Sequence, residues 1–197
     1  MDFSAPYRVI SPTLEGPILR ALAGVNGSLT RSQIVALVED ASEAGVRKAI
    51  GRLVTQGIVI EERIGSRYTY HVNRDHLLWP SVEGLFAARE LLRERVAELV
   101  RGWEIQPVSV DLFGSVAQGV SDEESDVDVM VVSPELGEDR QEVWDRQMDD
   151  LHDRITLWTG NACDVVVMDP EELAHARAKD APILRLTAAD TQTAQAH

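Results

Sequence analysis

The sequence predicts an α+β chain built in two parts and joined by a long helix. Three observations carry this. Residues 1–78 hold three short helical patterns followed by two β-rich runs. A continuous amphipathic stretch occupies residues 79–102. Residues 103–190 alternate apolar strand-like runs with helical ones, the pattern of a small mixed sheet flanked by helices. Residues 191–197 end a small, polar tail, "TAADTQTAQAH", expected to fray.

Each element has a local cause. "EGPILRALAGVNG" places apolar residues at helical spacing and stops at Gly27. Thr30 is placed to cap "RSQIVALVED", and Ser42 to cap "EAGVRKAIGRLVTQG", which closes at Gly57. In that third helix Val46, Ile50, Leu53 and Val54 share a core face. "IVIEER" and "RYTYHV", joined by "IGS", read as a hairpin. After Trp79-Pro80, a single long helix is expected from Ser81, with Val82, Leu85, Leu92, Val96, Leu99 and Trp103 near one stripe. That stripe packs on both parts or leaves a coiled-coil-like homodimer contact open.

The second part begins with the strand "VSVDLF" and the turn "GSVAQG". In "DVDVMVV" alternation puts Asp126, Asp128 and Met130 on one face, and Val127, Val129 and Val131 on the other. Trp144, Met148, Leu151, Ile155 and Trp158 form the apolar stripe of the next helix, which reads as core. "ACDVVVMD" is a third strand that displays Asp164, and Pro170 opens a last helix, "EELAHARAKD".

Charge is shared unevenly between the parts. Residues 1–78 carry nine Arg and Lys against eight Asp and Glu, whereas residues 79–197 carry ten against twenty-five. The acidic part disfavours a polyanion unless cations intervene, and the asymmetry suggests two kinds of partner. One cysteine, Cys163, excludes an internal disulfide framework and suits a reducing cytosol. No apolar run reaches membrane-spanning length and the first residues lack a basic-then-hydrophobic leader, so a cytoplasmic protein without a membrane partner is expected.

Three short helices followed by a hairpin, over roughly the first 75 residues, resemble a winged helix-turn-helix domain. The resemblance implies double-stranded DNA as a partner, contacted by Arg47, Lys48 and Arg52 of the third helix and by Arg63 and Arg67 at the hairpin turn. A solvated basic face with Glu43, Glu61 and Glu62 as neighbours is the alternative.

Gly114, Ser115, Ala117, Gly119, Ser125, Asp126 and Asp128 spell G-S-x-A-x-G, five residues, then S-D-x-D. A Gly-Ser pair alone is usually a turn, and Asp-x-Asp alone a solvated edge strand. Together at this spacing they resemble the minimal nucleotidyltransferases of the DNA polymerase β superfamily, over about residues 103–186. The resemblance implies a nucleoside triphosphate substrate, expected to be ATP, and transfer of AMP to an acceptor hydroxyl on a protein or small molecule. It implies two Mg²⁺ ions held by Asp126, Asp128 and Asp164, whose like charges the ions neutralise. It further implies that Asp164 would help take the acceptor's proton, while Gly114 would let backbone approach a phosphate that the Ser115 hydroxyl also meets. One departure is Gln118, where relatives commonly carry a cation for the triphosphate. The alternative function is a DNA-binding regulator, antitoxin-like, whose transferase-like part senses nucleotide without turning it over.

Overall fold

The computed structural model describes residues 1–176 and 184–185. The expected tail, residues 191–197, and the end of the last expected helix, residues 177–180, lie outside the described residues. The chain divides into two units, Ala5–Ala87 and, separately, Met1–Ser4 with the chain from Ala88 onward.

In the first unit a short 3-10 turn over Pro6–Val9 precedes α1 (Glu15–Ala23). There follow β1 (Leu29–Thr30), α2 (Arg31–Leu37), α3 (Glu43–Thr55), β2 (Val59–Ile64), β3 (Arg67–Val72) and α4 (Trp79–Phe86). The two expected caps form. Thr30 and Gln33 make a reciprocal capping box, and Ser42 accepts the Gly45 N–H at 3.1 Å. Gly57 takes a φ of +78° after α3, and Gly65 takes +64° in the tight turn between Ile64 and Arg67. The sheet runs β1-β3-β2, all antiparallel. Strand β1 is too short for a sequence pattern to announce it. Val46, Ala49, Ile50 and Leu53 of α3 are buried with Ile18, Leu22, Ile34, Val59 and Tyr70, while Val54 packs only partly.

The single long helix expected over residues 79–102 is in fact two helices. Helix α4 ends at Phe86 and α5 spans Ala88–Arg101. Between them Ala87 leaves helical geometry at φ −96° and ψ 17°, and its N–H reaches back only three residues to the Gly84 carbonyl. A glycine in the last turn weakens the helix there, and amphipathic periodicity does not register such a break. The two halves also serve different cores: Trp79, Val82 and Phe86 pack within the first unit, whereas Leu92, Val96 and Val100 are buried in the second. Leu99 and Trp103 of the same stripe pack partly against the second unit's core.

The second unit holds a four-stranded mixed sheet in the order β6-β5-β4-β7, made of β4 (Ser109–Phe113), β5 (Val127–Val132), β6 (Cys163–Met168) and β7 (Leu184–Arg185). Strand β5 is antiparallel to β4 and parallel to β6. Short helix α6 (Gly114–Gln118) leaves β4, α7 (Gln141–Thr159) joins β5 to β6, and α8 (Pro170–Ala176) follows β6. Val110, Leu112, Val127, Val129 and Val131 face Leu92, Val96, Trp144, Leu151 and Ile155 in the main core. Met130 and Val132 cluster with Leu173 on the other side, so β5 is buried on both faces along most of its length. The apolar run around the aspartates exists because this strand is central. No helix among the described residues is long and apolar enough to cross a membrane.

Candidate active site

The site lies where β4, β5 and β6 present neighbouring ends. Strand β4 runs into α6 through Gly114, whose φ of +68° lies in the left-handed region. A Cβ added to Gly114 would fall 2.0 Å from Asp128 Oδ2. The bare Gly114 backbone therefore lies directly against the Asp128 carboxylate. Phe113 and Asp128 are directly paired across the antiparallel ladder, which brings the bend and the carboxylate together.

Asp128 is also the register partner of Asp164 on the parallel neighbour strand. Burial first, then the charges of Asp164 and Asp126, push the Asp128 carboxyl above its ordinary range. Asp126 and Asp164 thus both bear on Asp128, which is half-buried, while they themselves are exposed. Among the described residues, no three His, Cys, Asp or Glu side chains converge closely enough to hold an ion. The donor set nonetheless fits a hard divalent cation, being all carboxylate oxygen under mutual repulsion. Burial, Asp164 and Asp128 push the neighbouring Cys163 thiol up to about 12, which makes it an inert core group.

The approach to Asp126 is ordered by its own side chains. Ser125 donates its hydroxyl to Asp122 Oδ1 at 2.7 Å and accepts the Asp122 N–H at 2.9 Å. The Glu124 N–H adds a bond to Asp122 at 3.1 Å. Ser125 therefore organises the turn before the strand, and Asp122 is its hub.

Gly119 ends α6 with a φ of +75°. A Cβ there would lie 2.8 Å from an Arg89 terminal nitrogen, and Arg89 donates to the Ala117 carbonyl at 3.4 Å. The Gly114–Gly119 bend therefore does meet a cation, contributed by α5 and not by the exposed Gln118. Arg89 sits in a helix full of Glu and Arg, so no local pattern singles it out. Asn161, just before β6, was equally silent in the sequence; its side chain is buried and bonded to the Ser125 carbonyl at 2.8 Å.

In the first unit Arg47 and Lys48 are exposed on α3. Arg52, on the same helix, has its guanidinium engaged through Nε and a terminal nitrogen with the Glu15 carboxylate. Burial raises the Glu15 carboxyl, but hydrogen bonds from Thr13 and Arg52 outweigh this and hold it below its ordinary range. At the hairpin tip Arg63 donates to the Gly65 carbonyl at 3.2 Å, and Arg67 starts β3, exposed. Glu61 and Glu62 are exposed on β2 beside them.

Residues 89–181 match the family model described as a nucleotidyltransferase domain. No curated protein matches the chain. Among solved structures, the chain is similar to one titled "Structure of TrmBL2, an archaeal chromatin protein, shows a novel mode of DNA binding", at 14% identity and a TM-score of 0.33, over 91% of this chain and 75% of that one.

Proposed function

We propose that the second unit is a Mg²⁺-dependent nucleotidyltransferase that moves AMP from ATP to an acceptor hydroxyl, and that the first unit contacts double-stranded DNA. The observation that carries the first half is the in-register pairing of Asp128 with Asp164 beside the Gly114 bend, within residues that match a nucleotidyltransferase family model.

Asp126, Asp128 and Asp164 are the residues to hold divalent ions, which when bound neutralise triphosphate charge and lower the pKa of the acceptor hydroxyl. Asp164 takes the acceptor's proton as the acceptor oxygen bonds to the α-phosphorus, and pyrophosphate leaves. The Ser115 hydroxyl and the backbone at the bend orient the outer phosphates. Arg89, held at the far end of α6, adds positive potential to the same bend. The acceptor is a protein or a cationic small molecule, because the acidic residues 79–197 repel a long nucleic acid.

Purified protein incubated with Mg²⁺, α-labelled ATP and cell lysate tests the reading. Label on a discrete acceptor, with matching pyrophosphate release and loss of both in Asp126→Ala, is the expected result. Gln118 favours a second reading, a nucleotide sensor in a DNA-binding regulator; ATP binding without pyrophosphate release under any acceptor supply would select it. The DNA half rests on the exposed Arg47 and Lys48 of α3, with Arg63 and Arg67 at the hairpin and Arg52 beside Glu15. It predicts salt-dependent affinity for duplex that weakens in Arg47→Ala/Lys48→Ala.

A further inference from the structure

The loop that delivers Asp126 is tied down at both ends by residues remote in sequence. At its start, Ser4 donates its hydroxyl to the Ser121 carbonyl. Ser4 is itself fixed, since its N–H donates to Asp2 Oδ1 at 2.8 Å, and its single hydroxyl proton is shared between that oxygen, 2.6 Å away, and the Ser121 carbonyl. Between them Phe3 is buried among Leu92, Val96, Val116 and Ile155 in the main core.

At the loop's end, the Asn161 side-chain amide donates to the Ser125 carbonyl at 2.8 Å and to the Met1 carbonyl at 3.1 Å, while its oxygen accepts from the Met1 nitrogen. The Asn161 backbone is held in turn by Thr159 Oγ1 at 3.1 Å, and Thr159 is anchored on the Ile155 carbonyl at 2.8 Å. One residue further, Ala162 accepts the Val127 N–H at 2.9 Å. Asp126 therefore lies between two residues, Ser125 and Val127, that are both bonded to the 161–162 segment. Asp164 leaves that same segment two residues later.

We propose that Asn161 and the Met1–Ser4 strap are positioning elements that set the placement of the Asp126 carboxylate relative to Asp164. Neither touches the reacting groups. Asn161 is 5% exposed, and every polar atom of its side chain is used between the strap and the loop. A buried amide satisfied on three sides holds one geometry, and an ion shared by carboxylates from different segments needs one. The consequence for the ion rests on the function proposed above; the strap's hold on the loop does not.

Two measurements separate these. Hydrogen exchange of the Ser121–Val127 amides reads the hold itself. Titration of free Mn²⁺ by electron paramagnetic resonance, an oxygen-seeking substitute for Mg²⁺, reads the consequence without any turnover. Ser4→Ala removes one hydrogen bond at a half-exposed site and leaves the core intact. It is expected to speed exchange of the loop amides and raise half-saturating Mn²⁺ by about fivefold, the value of one such bond. Ser4→Thr, which keeps the hydroxyl, restores wild-type values. Asn161→Ala removes both donors and is expected to raise both by roughly tenfold or more. Wild-type exchange in folded Ser4→Ala and Asn161→Ala overturns the proposal, as does faster exchange with unchanged Mn²⁺ affinity. Should wild-type protein bind neither Mn²⁺ nor Mg²⁺, the proposed function fails, and the exchange arm alone decides whether the strap holds the loop.

Discussion

Gly114 and Asp128 are built against each other: a methyl group on the glycine would overlap the carboxylate, with the Asp128 Cγ only 3.0 Å away and the backbone φ at +68°. Two separate demands thus fall on one residue. It must tolerate a left-handed backbone, and it must have no side chain where β5 presents its acid.

Gly114→Ala is expected to cost on the order of 2–4 kcal/mol of stability and to abolish nucleotidyl transfer. In an Asp128→Ala background the same substitution should cost only about 1–2 kcal/mol, because the remaining Asp128 Cβ lies 3.4 Å from the new atom. Denaturant titration of the four proteins of this cycle measures the coupling. Additive costs would falsify the contact as the reason for the glycine.

Asp128 carries a pH signature. Its carboxyl is raised from the ordinary 3.8, so the folded protein binds this proton more tightly than the unfolded chain does. Stability from this group is therefore highest below 3.8, falls as pH rises through the folded value, and stays low at neutral pH. Asp128→Asn removes the penalty. Without divalent ions it should raise the Tm at pH 7 by roughly 1–3 °C while abolishing transfer. The gain should vanish at a pH below the ordinary carboxylate range; a constant gain at all pH values points to some other cause.

Divalent ions should reverse that penalty in the wild type. Mg²⁺ with a non-hydrolysable ATP analogue is expected to raise the Tm, by an amount set by ligand excess over Kd. Asp164→Asn should remove most of this shift, and a chelator all of it. An analogue-induced shift that survives the chelator intact would separate nucleotide binding from the carboxylates.

Arg52 is held by Glu15, which divides the basic residues of α3. Arg47→Ala should weaken duplex binding more than Arg52→Ala does. Glu15→Gln, by releasing the Arg52 guanidinium, should tighten binding and steepen the log–log salt dependence by about one. Fluorescence anisotropy over a salt series checks all three, and an unaltered slope in Glu15→Gln places Arg52 away from phosphate.

Arg89 offers the test of how the bend manages with Gln118. Arg89→Met keeps the packing stem and removes the charge, so nucleotide KM should rise by roughly tenfold with little change in Tm. Adding Gln118→Arg to that variant should recover part of the loss. A kcat effect without a KM effect would show that the guanidinium shapes the bend and does not attract phosphate.

Much of this architecture was legible locally. Thr30 and Ser42 announced their helices because capping is a contact between residues three apart. The split of Val127, Val129 and Val131 from Asp128 and Met130 followed from strand alternation. The break at Ala87 was illegible, since Leu92 and Val96 keep helical spacing with Val82 whether or not the axis is continuous. Arg52 looked available until Glu15, far away in sequence, proved to hold it.

The sequence by itself determined which side chains can do chemistry and which way each strand presents them, because periodicity and turn residues act over a few positions. Tertiary structure alone decided who meets whom: Asp164 in register with Asp128, Gly114 against its carboxylate, Arg89 at the Gly119 turn, and Asn161 joining the first residues of the chain to the Asp126 loop. Those meetings depend on strand order and on chain closure over long separations, which no local pattern encodes.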